Sequence, residues 1–207
     1  MNNYITAYIK IKDNKVWFNG TLLFEPEEDM TFPAFMKKIY KHNNTKYLKF
    51  FKMDKLSKLG FISSEILLKE RLLSEYYNSD EIGIILANSN STIDTDIEFY
   101  NTIKDKNDYF PSPSIFVYTL PNIMIGEISI KNKFRGENSF FVSKEYNSDF
   151  CVNYINGLFE KEKIKACLCG WIDYTADKYD AFMYVVESEK NTENNIIHNI
   201  NNIKKIY

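Results

Sequence analysis

Few side chains in this sequence are of types that do covalent or acid–base chemistry. There are three cysteines, Cys151, Cys167 and Cys169, and two histidines, His42 and His198. Cys167 and Cys169 alternate along the run Ala166 to Ile172, so they point to one face of a strand. No histidine or further cysteine lies near enough in sequence to complete a zinc site. They read as small buried apolar residues, and no metal or cofactor is expected. The tripeptide Lys144-Glu145-Tyr146 lies in a polar elbow, Ser143 to Ser148, between a β-prone run and an amphipathic helix, where the helix dipole favours a carboxylate. Asn88 to Ser91 precedes another helix and has the composition of an anion cradle. Asp94 and Asp96 already place negative charge in that helix's first turn, which argues against phosphate there.

These residues are positioned by an alternation of strands and helices. Tyr4 to Ile11 alternates with period two, and Asp13-Asn14 turns the chain into a second run, Lys15 to Phe18. Asn19 to Asp29 reads as a loop with an acidic end. Thr31 and Pro33 open a helix over Phe32 to Tyr40. Between Phe51 and Tyr77 apolar residues recur at three- and four-residue steps, the longest helical pattern in the chain. Glu81 to Ala87 is an almost wholly apolar run of strand length, as in an interior strand covered on both faces. Asn101 to Tyr109 is polar loop, and Phe110-Pro111-Ser112-Pro113 forces an extended entry to the next segment. An apolar helical pattern interrupted by Pro121 covers Ile115 to Ile130, followed by a basic turn (Lys131 to Gly136), a β-prone run (Ser139 to Val142), the elbow, and a helix from Ser148 to Lys161. Strands over Ala166 to Ile172 and Tyr179 to Glu187 close the pattern. In the polar tail, residues 188–207, Ile196, Ile197, Ile200 and Ile203 recur at helical spacing, as a docking helix or a frayed end would.

At 207 residues, with 44% apolar and 16% aromatic residues, the chain can bury one sizeable core, and a single domain over residues 1–187 with the tail after it is expected. The net charge of −2 offers no basic field for nucleic acid. No apolar run is long enough to span a bilayer, and no leader pattern opens the chain, so a cytoplasmic location is expected.

The stretch from Asn122 to Asp173 resembles, without gaps, the nucleophile segment of the β-ketoacyl-acyl-carrier-protein synthases of the thiolase superfamily. Asn122 and Gly126 match that family's Asn-x-x-x-Gly helix, and Ile128 to Ile130 match its apolar continuation. Arg135, Gly136 and Asn138 match its basic-Gly-Pro-Asn turn, and Gly170 with Asp173 its Gly-Gly-Ala-Glu strand end. A weaker likeness reaches back to Lys52, where KMDKLSKLG is similar to the start of a family helix with Lys55 in place of Arg. The resemblance implies an α/β fold, half of a thiolase fold, with a mixed, mostly parallel five-stranded sheet and helices on both faces. In the family the last strand of this half is an antiparallel edge.

At the position of the family's nucleophilic cysteine this chain has Glu145. Condensation needs a thiolate of depressed pKa at a helix N-terminus and two imidazoles, and the family's histidine-bearing second half has no counterpart here. The resemblance therefore implies a degenerate nucleophile and a non-catalytic, chain-length-factor-like subunit. Its partner would be a full-length β-ketoacyl synthase, as in aryl polyene and flexirubin assembly or fatty-acid-type synthesis, with an acyl carrier protein involved indirectly. The alternative is a self-sufficient enzyme using Glu145 for malonyl decarboxylation or acyl transfer. The family dimerises by pairing the strand before the nucleophile with its counterpart, which places Asn138, Phe140, Phe141 and Val142 at an interface. The segment that crosses the family's dimer to border the partner's acyl tunnel matches Ser114, Ile115, Phe116 and Tyr118; internal packing is the other reading of those residues.

Overall fold

A computed structural model of the chain describes residues 2–190 and 195–207. Of the tail, residues 191–194 therefore lie outside the description. In chain order the elements are β1 (Tyr4–Lys12), β2 (Lys15–Phe18), β3 (Thr21–Phe24), α1 (Phe32–His42), α2 (Lys55–Glu70), β4 (Ile82–Asn88), α3 (Ile93–Asn101), α4 (Pro113–Phe116) and α5 (Ile123–Asn132). β5 (Asn138–Val142), α6 (Ser148–Glu160), β6 (Ala166–Thr175), β7 (Lys178–Glu187), β8 (Ile196–Ile197) and α7 (Ile200–Ile206) follow.

The strands form one sheet in the order β3-β2-β1-β7-β6-β4-β5, with β8 paired to β1. Its five long-range members are β5, β4, β6, β7 and β1. β4 is parallel to β5 and β6, and β7 is antiparallel to both β6 and β1. Four of these five strands thus run the same way, and the α/β class with a mixed sheet is the one expected. Among the described residues the sheet has eight strands rather than five, because β2, β3 and β8 extend it. The segment expected as a loop, Asn19 to Asp29, contains β3. The cause is Asn19-Gly20, both at positive φ, a two-residue turn whose twist suits a hairpin and which pairs Phe18 with Thr21. The last long strand, β7, is not an edge: β1 runs along it from Tyr4 opposite Glu187 to Lys12 opposite Asp180.

Helix boundaries have local causes. α2 starts later than the apolar periodicity because the Asp54 carboxylate caps it, accepting from Ser57 N at 3.0 Å. It stops at Arg71, which leaves helical geometry and forks onto Glu187 with Nε at 2.9 Å and Nη2 at 2.7 Å. Pro121 separates α4 and the 3-10 turn that continues it, Val117–Thr119, from α5, so the apolar pattern over 115–130 is broken into two helical segments. Thr31 precedes α1 without a side-chain cap bond.

The sheet is covered on both faces. One face packs against α1, α2 and α5 through Phe35, Leu59, Phe61, Ile62 and Ile128, all fully buried. The other packs against α6 and α7 around Ile155, Cys167, Cys169, Phe182, Tyr184 and Ile203. Gly170 in β6 has φ +156°, and a Cβ there would lie 2.0 Å from the Phe182 carbonyl oxygen, so only glycine lets β7 approach this closely.

Candidate functional site

The elbow joins the end of β5 to α6. Ser143 N donates to the Asn88 carbonyl oxygen at 2.9 Å, tying the elbow to the end of β4. The Ser143 hydroxyl donates to the Glu145 carbonyl oxygen at 2.8 Å. Asn147 caps α6 by accepting from Phe150 N at 2.9 Å. Glu145 itself is exposed and lies before the cap residue, outside the first helical turn. Among the described residues its carboxylate has no hydrogen-bond or ion-pair partner. The residue that anchors the elbow is Tyr146. Its ring packs on Trp171, Phe182 and Tyr207, and its hydroxyl is 3.0 Å from that of Tyr184. Sequence reasoning missed this, although an aromatic directly after a polar bend is the signal that a side chain turns inward.

No activated thiol accompanies the elbow. Cys151, in the first turn of α6, is buried, and burial pushes its thiol up to about 11. Cys169 is driven well above the usual thiol range, again by burial first. These are inert apolar residues, the opposite of the electropositive setting that makes a thiolate. His42 packs on Phe24 beside the α1 face, ring centroids 4.8 Å apart. His198 is 3% exposed and lies 2.9 Å through Nδ1 from Asn156 Oδ1. That oxygen also accepts from Asn3 Nδ2 at 3.0 Å, which makes His198 Nδ1 the protonated nitrogen. Nε2 then faces the interior without a partner among the described residues, and burial lowers the imidazole to about 4. No group of three or more His, Cys, Asp or Glu side chains is placed to hold a metal ion among the described residues.

The loop Asn88 to Ser91 is a cradle, but the chain fills it. Asp173 at the end of β6 accepts from Ser89 N and Oγ at 3.1 and 2.9 Å and from Asn90 N and Nδ2 at 3.2 and 2.9 Å. Asp94 takes the Ala176 N–H at 3.0 Å and Asp96 the Thr92 hydroxyl at 3.2 Å. With its donors spent on the chain's own carboxylate, the loop offers nothing to an external anion. A cavity of about 220 Å³ nearby, between the N-termini of α2 and α3, is lined by Asp54, Lys58, Thr95, Glu98 and Tyr174 and by no thiol or imidazole.

Two surfaces next to the elbow are apolar and open. Among the described residues β5 pairs only with β4, so its other edge presents unpaired backbone groups there. Along it Phe140 packs towards the α2 face and Phe141 towards the α6 face, while Asn138 and Val142 are exposed, Val142 by 55%. Phe141, Phe150 and Tyr154 form an aromatic cluster beside the edge, with centroids 4.8 to 5.8 Å apart. The second surface runs along α3, the loop after it and α4, where Ile97, Tyr100, Tyr109, Phe110, Phe116 and Leu120 are all more than half exposed. Single-chain proteins rarely leave so many large apolar side chains in one stretch uncovered. Of the residues matched to the dimer-crossing segment, Ser114 and Phe116 are exposed and Ile115 is half-buried. Tyr118 differs: it is buried, and its hydroxyl donates to Glu127 Oε1 at 3.2 Å.

Three solved structures share this arrangement of sheet and helices. The ishigamide ketosynthase/chain length factor superposes with TM-score 0.68 at 14% identity, over 94% of this chain and 64% of that one. A type II polyketide synthase acyl-carrier protein in complex with its ketosynthase bound to the hexaketide gives 0.63 at 13%, over 90% and 62%. A ketosynthase in complex with its chain length factor from Xenorhabdus doucetiae gives 0.55 at 12%, over 92% and 81%. No protein-family model matches the sequence, and no curated protein matches it. The chain therefore has the fold of ketosynthases and chain length factors, and it spans less than two thirds of the length of the first two. No helix among the described residues is long and apolar enough to cross a membrane.

Proposed function

We propose that this chain is a non-catalytic, chain-length-factor-like subunit of an active β-ketoacyl-acyl-carrier-protein synthase, working in polyketide, aryl polyene or fatty-acid-type synthesis in the cytoplasm. The observation that carries this is the pairing of an open apolar sheet edge at β5 with a glutamate where the fold would carry its nucleophile. The edge supplies association by strand addition, and the glutamate supplies no thiolate. The partner brings the cysteine and histidines and receives acyl groups from the carrier protein. Asn138, Phe140, Phe141 and Val142 would meet it at the sheet edge. Ser114, Ile115 and Phe116 would border its acyl tunnel, where a steric wall reads chain length better than attraction does, since one methylene is worth only about 1 kcal/mol.

Two of the solved neighbours are ketosynthase and chain-length-factor assemblies, which supports this class of partner. The rival reading, decarboxylation by Glu145, finds little support in a solvent-facing carboxylate with no imidazole bonded to it. The test is co-expression with a ketosynthase encoded beside it. Co-purification in equal amounts is expected, and recovery of the two proteins separately would reject the subunit reading.

A further inference from the structure

Between Thr95 and Tyr118 no side chain is buried. α4 within this stretch is only four residues long, with no buried residue and with Pro113 at its start, and a single 3-10 turn, Val117–Thr119, continues it. A helical segment this short does not hold itself in water. Something else must place it, and the attachments are few. Thr92 Oγ1 donates to the Thr119 carbonyl oxygen at 2.8 Å, the Phe99 and Phe116 rings lie 5.1 Å apart, and Tyr118 reaches into α5.

What Tyr118 reaches is the one carboxylate on α5. Glu127 is 3% exposed, and its oxygens take three donors from two segments, residues 47–49 and Tyr118. Lys49 Nζ lies 2.7 Å from Oε1, the Tyr118 hydroxyl 3.2 Å from the same oxygen, and the Tyr47 hydroxyl 3.3 Å from Oε2. A carboxylate buried to this degree is tolerated only when charge and hydrogen bonds compensate it, so it fixes where its donors sit. Lys49, about half exposed, supplies the charge. The tyrosines supply direction: a phenol held at its hydroxyl has two torsions to settle, and its backbone follows.

The geometry points to Glu127 as a positioning residue. Its carboxylate fixes Tyr118 and thereby places Ile115 and Phe116 on the surface offered to the partner's acyl chain. This rests on the reading of the 113–118 segment given above, and it adds a buried determinant of chain length that touches neither subunit's substrate.

The test uses the full chain, alone and reconstituted with the ketosynthase. Tyr118→Phe keeps the ring and removes the bond, and Glu127→Gln keeps an acceptor for Tyr118 while releasing Lys49. Amide hydrogen exchange over residues 113–120 should accelerate about tenfold in Tyr118→Phe and less in Glu127→Gln, with α5 and β5 unchanged. The product-length distribution of the reconstituted pair should broaden in the same order, as in Ile115→Ala. Unchanged exchange over 113–120, or acceleration spread over α5 and β5 as well, overturns the proposal. So does faster local exchange with unaltered products when Ile115→Ala alters them. If exchange accelerates locally and Ile115→Ala also leaves products unaltered, the positioning role stands and the tunnel-border reading falls.

Discussion

On the face covered by α1, α2 and α5 the buried cluster carries phenols, Tyr40, Tyr118 and Tyr174, but no thiol, whereas on the face covered by α6 and α7 it carries Cys151, Cys167 and Cys169 with the Tyr184 phenol and the His198 imidazole packed on it. The first face is closed along its length by helices from the middle of the chain. The second is closed by one long helix and a short C-terminal one, and its border at β5 is open. Both are buried, so the difference lies in what each would lose if disturbed. The wide face carries the fold. The narrow face carries the elbow and the edge, and at its rim the Asn156 Oδ1 takes both the Asn3 amide and the His198 ring.

The largest effect should come from unlocking the wide face at its rim. Arg71 ends α2 and forks onto Glu187, which is fully buried and also accepts from the Thr6 hydroxyl. Arg71→Met leaves that carboxylate without its cation, and a broken buried pair costs about 3–5 kcal/mol. Denaturant unfolding should show a loss of that size. A loss below about 1 kcal/mol would mean that the rim is not what closes this face.

On the narrow face the comparable element is His198, which ties the C-terminal segment to Asn3 and Asn156 through its backbone N–H and Nδ1. Burial depresses the folded imidazole from 6.5 to about 4, so folding favours the neutral ring. The stability this confers is present above about pH 6.5, is lost as pH falls towards 4, and does not fall further below that. A displacement of this size corresponds to about 3 kcal/mol. Unfolding measured between pH 7 and 4 should show it, and His198→Gln should flatten that part of the profile. An unchanged slope in the variant would remove His198 from the account.

The open border predicts a smaller, local effect. Phe141→Asp puts a charge into the aromatic cluster beside β5 and should weaken association with the ketosynthase by about thirtyfold or more, the scale of an interface hot spot. Val142→Asp, at a more exposed site, separates association from folding: binding should drop while the melting temperature holds. At the opposite edge, β3 is four residues long and runs into the acidic stretch from Glu25 to Asp29, features that blunt strand addition. Leu22→Asp there should leave binding unchanged. Equal loss from Leu22→Asp and Val142→Asp would erase the distinction between the two edges.

How much of this was legible in the sequence follows the range of the forces involved. Period-two alternation marks β1, a continuous apolar run marks β4, and helical spacing marks α2, because each records its own burial. The glycine at 136 reflects a close backbone approach, since a Cβ there would lie 2.4 Å from the Ile82 carbonyl oxygen. Gly126 has no such neighbour, and nothing in the structure explains it. The interior place of β7 depends on pairing with β1, at the far end of the chain, and no local pattern encodes that. Asp173 in the 88–91 cradle and Tyr118 on Glu127 are likewise pairings between remote residues. The hairpin of β2 and β3 was legible through Asn19-Gly20, but the acidic run after it masks the strand.

The smallest expected effect is at the elbow itself. Glu145 is exposed, unpaired among the described residues, and set before the cap of α6. Glu145→Ala should change stability by no more than about 0.5 kcal/mol and leave association intact, as surface substitutions away from special features do. Purified protein given acyl and malonyl carrier-protein thioesters should form no β-ketoacyl product. Glu145→Cys should not create that activity either. A cysteine there would stand in solvent beyond the first helical turn, where the dipole falls off, and the chain's two imidazoles are committed elsewhere, His42 against Phe24 and His198 to Asn156. Turnover by the native chain that disappears in Glu145→Ala would show that the carboxylate acts, and the contrast between an inert elbow and an adhesive edge would then have to be given up.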